Sequence, residues 1–159
     1  MKVLNIHERE LPESPKRVGA LIDSLSSSED ALWPQQSWPR MEFDRPLSVG
    51  AVGGHGPIRY FVEAYITGQS IRFRFTGPRG FDGHHGYEIV NSGAQGCVLR
   101  HTLEMTTRGP AIVSWPLVFR PMHDALIEDS LAVVQASLGH VPRVQPWSEW
   151  VRILRSCFS

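Results

Sequence analysis

The sequence has no excess of charge of either sign. Lysine and arginine together number 16 among the 159 residues, aspartate and glutamate also number 16, and the formal net charge is therefore zero. A chain that binds nucleic acid or an anionic membrane usually carries an excess of basic side chains, because phosphate groups are attracted by a positive field. The balance predicts neither a nucleic-acid partner nor a membrane partner.

Long apolar segments and paired cysteines are also lacking. No apolar run approaches the roughly 18 residues of a membrane span. The opening residues, MKVLNIHEREL, do not contain the apolar core of a signal peptide. The two cysteines, Cys97 and Cys157, show no metal-ligand spacing and cannot make a disulfide framework. We expect reduced thiols in a cytoplasmic protein.

What the sequence does contain fits one globular domain. Its length falls within the roughly 100–200 residues of a typical domain, and residues 3–11 are a strand candidate. In PESPKRVGALIDSL, Ser14 suits a helix N-cap and Pro15 the first helical position. Ser28 is a second cap candidate. The two Trp-Pro pairs that follow should end that short helix, because a residue before proline avoids the α region.

The stretch IRYFVEAYITGQSIRFRF predicts a β-hairpin. Gly68 and Gln69 suit a two-residue turn, since glycine adopts the positive φ of the first turn position. This register makes one face apolar and the other charge-matched. The predicted pairs are Ile66 with Ile71, Ala64 with Phe73, and Val62 with Phe75 on the apolar face, and Tyr65 with Arg72 and Glu63 with Arg74 on the outer face.

A second hairpin is predicted in HHGYEIVNSGAQGCVLRHTLEM, with its loop centred on Ala94. Glu88 then lies opposite Arg100, whereas a shift by one residue would place Glu88 against Leu99 and lose the ion pair. The inward face of this hairpin is apolar except for two histidines and a tyrosine. It carries His85, Tyr87, Ile89, Leu99, His101, Leu103 and Met105.

The C-terminal part predicts a long helix and a separate tail. From Pro121 to Leu138 the apolar residues recur at helical spacing, and Gly139 suits the C-cap. Residues 1–140 therefore form the predicted domain, and residues 141–159 a proline-bounded linker with a short amphipathic helix. The apolar side of the tail could pack on this domain or join two copies in a homo-oligomer. It carries Trp147, Trp150, Val151, Leu154 and Phe158.

The order of one strand, two short helices, an antiparallel meander and a long helix is that of the helix-grip fold. The sequence resembles the START-like superfamily, which includes polyketide cyclases, lipid-transfer domains and the birch pollen allergen. Local similarity lies in FDRPLSVGAVGGHGPIRYFVEAY and RPMHDALIEDSL. The resemblance covers residues 3–140 and implies an α+β domain whose curved sheet of six to seven antiparallel strands wraps around the long helix. A seventh strand could lie in DRPLSVGAVGG or AIVSWPLVF.

The resemblance also implies a small hydrophobic molecule bound between the sheet and the long helix. Apolar walls with a few polar groups are typical of such sites. The predicted apolar lining is Val62, Ala64, Phe73, Phe75, Ile89, Leu103 and Ile127, and the predicted polar groups are His85, Tyr87, His101 and His123.

No cofactor is expected, and no metal at His84, His85 and His101. Adjacent strand residues point to opposite faces, so His84 and His85 cannot share a site, and a third ligand is missing on the inner face. His123 is predicted in the first turn of the long helix, where Asp124 would be stabilised by the helix dipole. The alternative for this pair is a cluster hydrogen-bonded to loop backbone.

Three functions remain open from the sequence. The first is a module that binds a hydrophobic or aromatic ligand. The second is a cyclase or dehydratase in which His101 acts as general base and the Tyr87 hydroxyl orients its ring. The third is a structural protein with a filled core, which the presence of a cavity would argue against.

Overall fold

The computed structural model describes residues 1–157 and confirms the predicted α+β architecture. The strands are β1 (Lys2–Leu11), β2 (Glu42–Phe43), β3 (Val52–His55), β4 (Ile58–Ile66), β5 (Ser70–Gly77), β6 (Phe81–Gly93) and β7 (Gly96–Thr107). The helices are α1 (Pro15–Asp23), α2 (Ala111–Ser114), a π-helical turn (Trp115–Phe119), α3 (Arg120–Ser137) and α4 (Glu149–Cys157).

The seven strands form one antiparallel sheet in the order β1-β7-β6-β5-β4-β3-β2. Strands β2 to β7 follow one another as a meander, and β1 closes the sheet beside β7. The segment DRPLSVGAVGG contributes the start of β3, whereas AIVSWPLVF is helical. The inner face of the sheet and the long helix share one apolar core.

The segment after β1 contains one helix, α1, and then a series of turns. Ser14 caps α1 as predicted, accepting a hydrogen bond from the Arg17 backbone N–H, with Pro15 at the first helical position. Residues 24–38 form turns in place of the second short helix expected at Ser28. The Asp30 carboxylate holds these turns, since it accepts three backbone N–H groups that a helix would otherwise use.

The β6–β7 hairpin has the predicted register. Tyr87 lies opposite His101 and Glu88 opposite Arg100. The Arg100 guanidinium is 3.8 Å from Glu88 but makes its shorter contact, 2.6 Å, with Glu8 on β1. The ion pair that indicated the register is therefore shared with a third strand.

The register predicted for the β4–β5 hairpin is wrong by one residue at the turn. The loop has three residues and not two, so Ile66 pairs with Ser70 and Ala64 with Arg72.

A bulge at Glu63 then shifts the register by one more residue, because a bulged strand sets two residues against one. Val62 consequently pairs with Phe73 and not with Phe75. Because the two shifts add up to two residues, the side chains return to the faces of the sheet that were predicted for them. Val62 and Phe73 point inward, and Glu63 contacts Arg74 at 2.8 Å on the outer face.

The turn itself is held from outside the hairpin. The Asp23 carboxylate, at the end of α1, accepts hydrogen bonds from the Gly68 backbone N–H at 2.9 Å and from the Tyr65 hydroxyl at 2.7 Å. The Gln69 N–H donates to the Ile66 carbonyl at 3.0 Å, and Gly68, the third residue of this β-turn, has a φ of +73°, as a type II turn requires at that position. This tertiary contact favours the longer turn, and the local sequence does not reveal it.

The long helix begins at Ala111, ten residues before the start predicted at Pro121. Pro116 lies in the π-helical turn and Pro121 at the second position of α3. A π turn widens the backbone, which accommodates the missing proline N–H groups without ending the helix. His123 and Asp124 therefore lie about three turns inside the helix, and the predicted stabilisation by its N-terminal dipole does not apply.

The tail packs on its own domain. Val151 and Leu154 are buried, and the Trp150 indole N–H donates to the Leu117 carbonyl at 2.7 Å. One oxygen of Asp129 on α3 accepts the indole N–H groups of both Trp38 and Trp147, each at 2.8 Å. The pairing of two copies through the tail stays a prediction.

Phe158, which its spacing assigns to the apolar side of the tail, lies outside the described residues. None of the helices within residues 1–157 combines the length and apolarity needed to cross a membrane.

The alternation along β6 can be tested with two of its glycines. A Cβ at Gly86 would lie 2.0 Å from the Ile71 carbonyl oxygen, whereas one at Gly93 would meet no atom of residues 1–157 within 4 Å. We expect Gly86→Ala to lower the free energy of unfolding by roughly 1–3 kcal/mol, because backbone must move. Gly93→Ala should change it by less than about 1 kcal/mol. Equal effects in urea unfolding would contradict this strand placement.

Candidate ligand-binding site

A cavity of about 290 Å³ lies between the sheet and the long helix. Its walls are mostly aromatic and aliphatic, with four histidines among them. The apolar lining includes Trp33, Trp38, Ile58, Phe75, Phe81, Leu103, Trp115, Phe119, Met122, Leu126 and Ile127, and the histidines are His55, His85, His101 and His123. Arg155 of the tail also contributes to the lining.

The cavity brings together about half of the residues predicted to line it. Phe75, His85, His101, Leu103, His123 and Ile127 are in its wall. Val62, Ala64, Phe73, Tyr87 and Ile89 are not. Val62 and Phe73 are fully buried in the apolar core, and Phe73 stacks on Phe43 at 5.7 Å. Ala64 follows the bulge and is only half-buried.

Three imidazoles form a continuous group at the centre of this wall. The ring centroids of His85 and His101 are 5.6 Å apart, and those of His101 and His123 are 5.1 Å apart. His85 and His101 come from neighbouring strands, and His123 reaches them from α3. Burial lowers the pKa of all three, so each is neutral at pH 7.

Several nitrogens in this group lack a hydrogen bond within the described chain. They are Nε2 of His85, Nδ1 of His101, and both ring nitrogens of His123. Buried polar atoms are nearly always paired, and those that are not call for a physical explanation. A molecule in the cavity with a hydroxyl or carbonyl group would supply the missing partner.

His55 is the fourth histidine of the cavity wall. It ends β3, beside the turn of the GGHGPIRY hairpin, and its Nδ1 is 2.8 Å from the Tyr60 hydroxyl. Its ring packs on Trp33 at 4.8 Å. Burial, together with repulsion from His123 and Arg59, lowers the pKa of His55 to about 3.

Tyr87 does not have the role predicted for it beside His101. The two rings are in edge contact at 4.8 Å, but the Tyr87 hydroxyl is 2.8 Å from Ser130 Oγ on α3. Ser130 donates its own proton to the Leu32 carbonyl, so Tyr87 must be the donor to Ser130. The Tyr87 hydroxyl proton forms a hydrogen bond between β6 and α3, so it is not available to orient the His101 ring.

The other missed residues lie on segments that were misplaced or could not be placed. Trp115 and Phe119 lie on the part of the long helix before Pro121, where the helix was predicted to begin. Met122 and Leu126 continue the same stripe within the predicted helix. Trp33 and Trp38 come from the turns of residues 24–38, whose path depends on tertiary contacts. The Trp-Pro pairs were the only signal there.

The tail closes one side of the cavity. The Arg155 guanidinium lies over the Trp38 ring at 4.7 Å and is 5.9 Å from the Trp147 ring. It also donates to the Ser37 carbonyl at 2.6 Å. A cation stacked on an aromatic face is stabilising, and more so where water is excluded.

Known proteins share the fold of this chain but little of its sequence. No protein-family model and no curated protein matches the chain. Norcoclaurine synthase from Thalictrum flavum superposes with a TM-score of 0.64 at 15% identity, over 88% of each chain. The allergen Ara h 8.0201 gives 0.58 at 10% identity, over 88% of this chain and 100% of that one.

A third solved structure is the di-domain ARO/CYC StfQ from the steffimycin biosynthetic pathway. It superposes with a TM-score of 0.61 at 13% identity, over 85% of this chain and 50% of that one. The chain shares the helix-grip fold of these proteins. The cavity lies between the sheet and the long helix, which are the two parts that define this fold.

The structural role of Tyr87 can be tested by removing its hydroxyl. Tyr87→Phe leaves Ser130 bonded to Leu32, so we expect a loss of about 1 kcal/mol in the free energy of unfolding. Ser130→Ala leaves both the Tyr87 hydroxyl and the Leu32 carbonyl without a hydrogen-bond partner. It should lower the free energy of unfolding by more, about 1–3 kcal/mol. Urea unfolding of the two variants measures both values. The reverse ranking would contradict a chain of donors that runs from Tyr87 through Ser130 to the Leu32 carbonyl.

The low pKa of His55 predicts a pH dependence of stability. Between its ordinary value of 6.5 and about 3, the unfolded chain binds a proton that the folded chain does not. The free energy of unfolding should therefore fall as pH decreases below 6.5, by about 1.4 kcal/mol per pH unit for this histidine. Urea unfolding between about pH 7 and about pH 5 should give His55→Phe a shallower slope than the wild type. Parallel slopes would contradict the neutral, buried imidazole.

Proposed function

We propose that the protein binds a small aromatic or hydrophobic molecule in the cavity between the sheet and α3. The observation that carries the proposal is the combination of an apolar wall with unpartnered neutral imidazoles at its centre. Small-molecule sites typically pair apolar walls with a few convergent polar groups. A filled core, the third possibility from the sequence, is not supported by a cavity of this volume.

The cavity also constrains the chemistry of the ligand. At about 290 Å³ it is near the lower limit of known ligand sites, which suits a molecule of one or two rings. A neutral imidazole can donate or accept a hydrogen bond according to its tautomer. A phenol or an aromatic carbonyl compound would satisfy His101 and His123 without introducing a buried charge.

A protein of the same fold offers a parallel. Norcoclaurine synthase from Thalictrum flavum has been solved in complex with dopamine and hydroxybenzaldehyde, at 14% identity to this chain and a TM-score of 0.58. Both compounds are single-ring phenols. The parallel supports the size and polarity of the proposed ligand, and it transfers no residue role.

The second candidate function is catalysis by a cyclase or dehydratase. It is supported by His101, which is neutral, faces the cavity and has an unpartnered Nδ1 that could accept a proton. Against it, the lowered pKa makes this imidazole a weak base, and Tyr87 does not assist it. The di-domain ARO/CYC protein gives a parallel at the level of fold.

The cellular setting belongs to the same proposal. We place the binding activity in the cytoplasm, because Cys97 and Cys157 are both unpaired and Cys157 is exposed. The balanced charge supports a small molecule, and neither nucleic acid nor membrane, as the partner.

Ligand binding can be tested with hydroxybenzaldehyde as the polar probe and toluene as an apolar probe. Quenching of tryptophan fluorescence should report both, since Trp33, Trp38 and Trp115 line the cavity. We expect His101→Leu to weaken hydroxybenzaldehyde binding by about tenfold, the value of one hydrogen bond, and to leave toluene unchanged. His84→Gln, on the opposite face of β6, should alter neither.

Native mass spectrometry of freshly purified protein provides the complementary measurement. A retained aromatic compound would support binding, and its conversion to a product on incubation would favour the enzyme. Absence of a bound compound together with no affinity for either probe would contradict the proposed function.

A further inference from the structure

A second group of polar side chains lies beside the cavity, where β1 meets α3. His7 on β1 points at two carboxylates of the helix: its Nδ1 is 2.7 Å from Glu128 Oε1, and its Nε2 is 3.1 Å from Asp124 Oδ1. The His7 side chain is 13% exposed and that of Glu128 is 12% exposed. Glu128 is paired with the buried Arg9, whereas the half-exposed Asp124 has His7 as its nearest basic side chain.

His123, the neighbour of Asp124 on α3, also approaches this carboxylate oxygen. Its Nδ1 is 3.7 Å from Asp124 Oδ1, which is too far for a hydrogen bond. Both of its ring nitrogens are buried with no hydrogen-bond partner among residues 1–157. Two imidazole nitrogens and one carboxylate oxygen thus converge on one point, and one of the imidazoles is unsatisfied.

We propose that this point is a binding site for a divalent transition-metal ion such as Zn²⁺, held by His7 Nε2, His123 Nδ1 and Asp124 Oδ1. The three ligand groups offer atoms that all lie within 4.8 Å of one another. Tetrahedral zinc with bonds of 2.0–2.1 Å places its ligands about 3.3 Å apart. The observed separations of 3.1 Å and 3.7 Å bracket that value.

The neighbours of the three ligands already have the arrangement that metal sites need. A ligating histidine usually donates its other N–H to a carboxylate, which fixes its tautomer. Glu128 accepts that bond from His7 and is itself held by Arg9 at 2.7 Å. Asn5 donates to Asp124 at 2.8 Å. His7 of β1 and Asp124 of α3 are thereby fixed in mutual orientation.

Proton balance is consistent with an ion at this position. Without an ion, a proton on His7 Nε2 must lie between the imidazole and Asp124. When a metal binds, Nε2 releases this proton to solvent and its lone pair binds the ion. One proton is released for each ion bound.

The site is open enough to be filled. The Asp124 side chain is 37% exposed, which provides a path for the ion. Three protein ligands leave one tetrahedral position for water or another small ligand, as in catalytic zinc sites. The proposal departs from the expectation of no metal, which considered only His84, His85 and His101.

Metal binding can be tested on chelator-treated protein without a histidine tag. We expect Co²⁺ to give the visible absorption of a tetrahedral complex, and Zn²⁺ to displace it at one ion per chain. Calorimetric titration with Zn²⁺ in two buffers of different protonation enthalpy should detect one proton released. His123→Asn should weaken Zn²⁺ binding by about 100-fold or more, and Glu128→Gln by about 10–100-fold.

The controls separate this site from other histidines and from unfolding. His84→Gln removes a histidine elsewhere on β6 and should leave Zn²⁺ affinity unchanged. His123→Asn loses the ring contact with His101 but no hydrogen bond within the described chain, and its thermal midpoint without metal measures that cost separately from the loss of Zn²⁺. Equal affinities for wild type and His123→Asn, or an equal loss in His84→Gln, would overturn the proposal.

Discussion

The pairing of β6 with β7 determines which side chains meet the long helix. Because strand side chains alternate with a period of two, one register sends His85, Tyr87 and His101 inward and leaves Glu88 and Arg100 outside. A slip by one residue would exchange the two sets. Along the inner face Tyr87 reaches Ser130 on α3, whereas His85 Nε2 and His101 Nδ1 have no hydrogen-bond partner within residues 1–157. The cavity lies along the part of the sheet where the inward side chains make no such hydrogen bond to the helix.

Local sequence was sufficient for the register wherever the strand was regular. The β6–β7 pairing followed from one ion pair and one apolar face, even though Arg100 makes its closer contact with Glu8. In β4–β5 the same reasoning failed, because the longer turn and the bulge at Glu63 each change the count between the two strands. The longer turn goes together with hydrogen bonds that the Asp23 carboxylate of α1 accepts from Gly68 and Tyr65. No property of the hairpin alone encodes that contact.

The cavity was predictable on the sheet and much less so on the helix. His85, His101 and Leu103 were placed by alternation, and His123 and Ile127 by helical spacing downstream of Pro121. Trp115 and Phe119 were missed because Pro121 was expected to begin the helix, whereas the π-helical turn lets the helix continue through Pro116 and Pro121. His7 could not be linked to His123 from sequence, since more than a hundred residues separate them. They come together because β7 pairs with β1 in the sheet.

Asp129 joins three distant parts of the chain through one oxygen atom. It holds Trp38 of the turns and Trp147 of the tail against α3, while Arg155 lies over both rings. Bonds to a carboxylate are stronger than bonds between neutral groups. A molecule entering on this side must therefore wait for turns and tail to part together, as one cooperative local opening. The residence time of a bound molecule would then depend on how often the bonds of Asp129 to Trp38 and Trp147 open, and only weakly on the contacts inside the cavity.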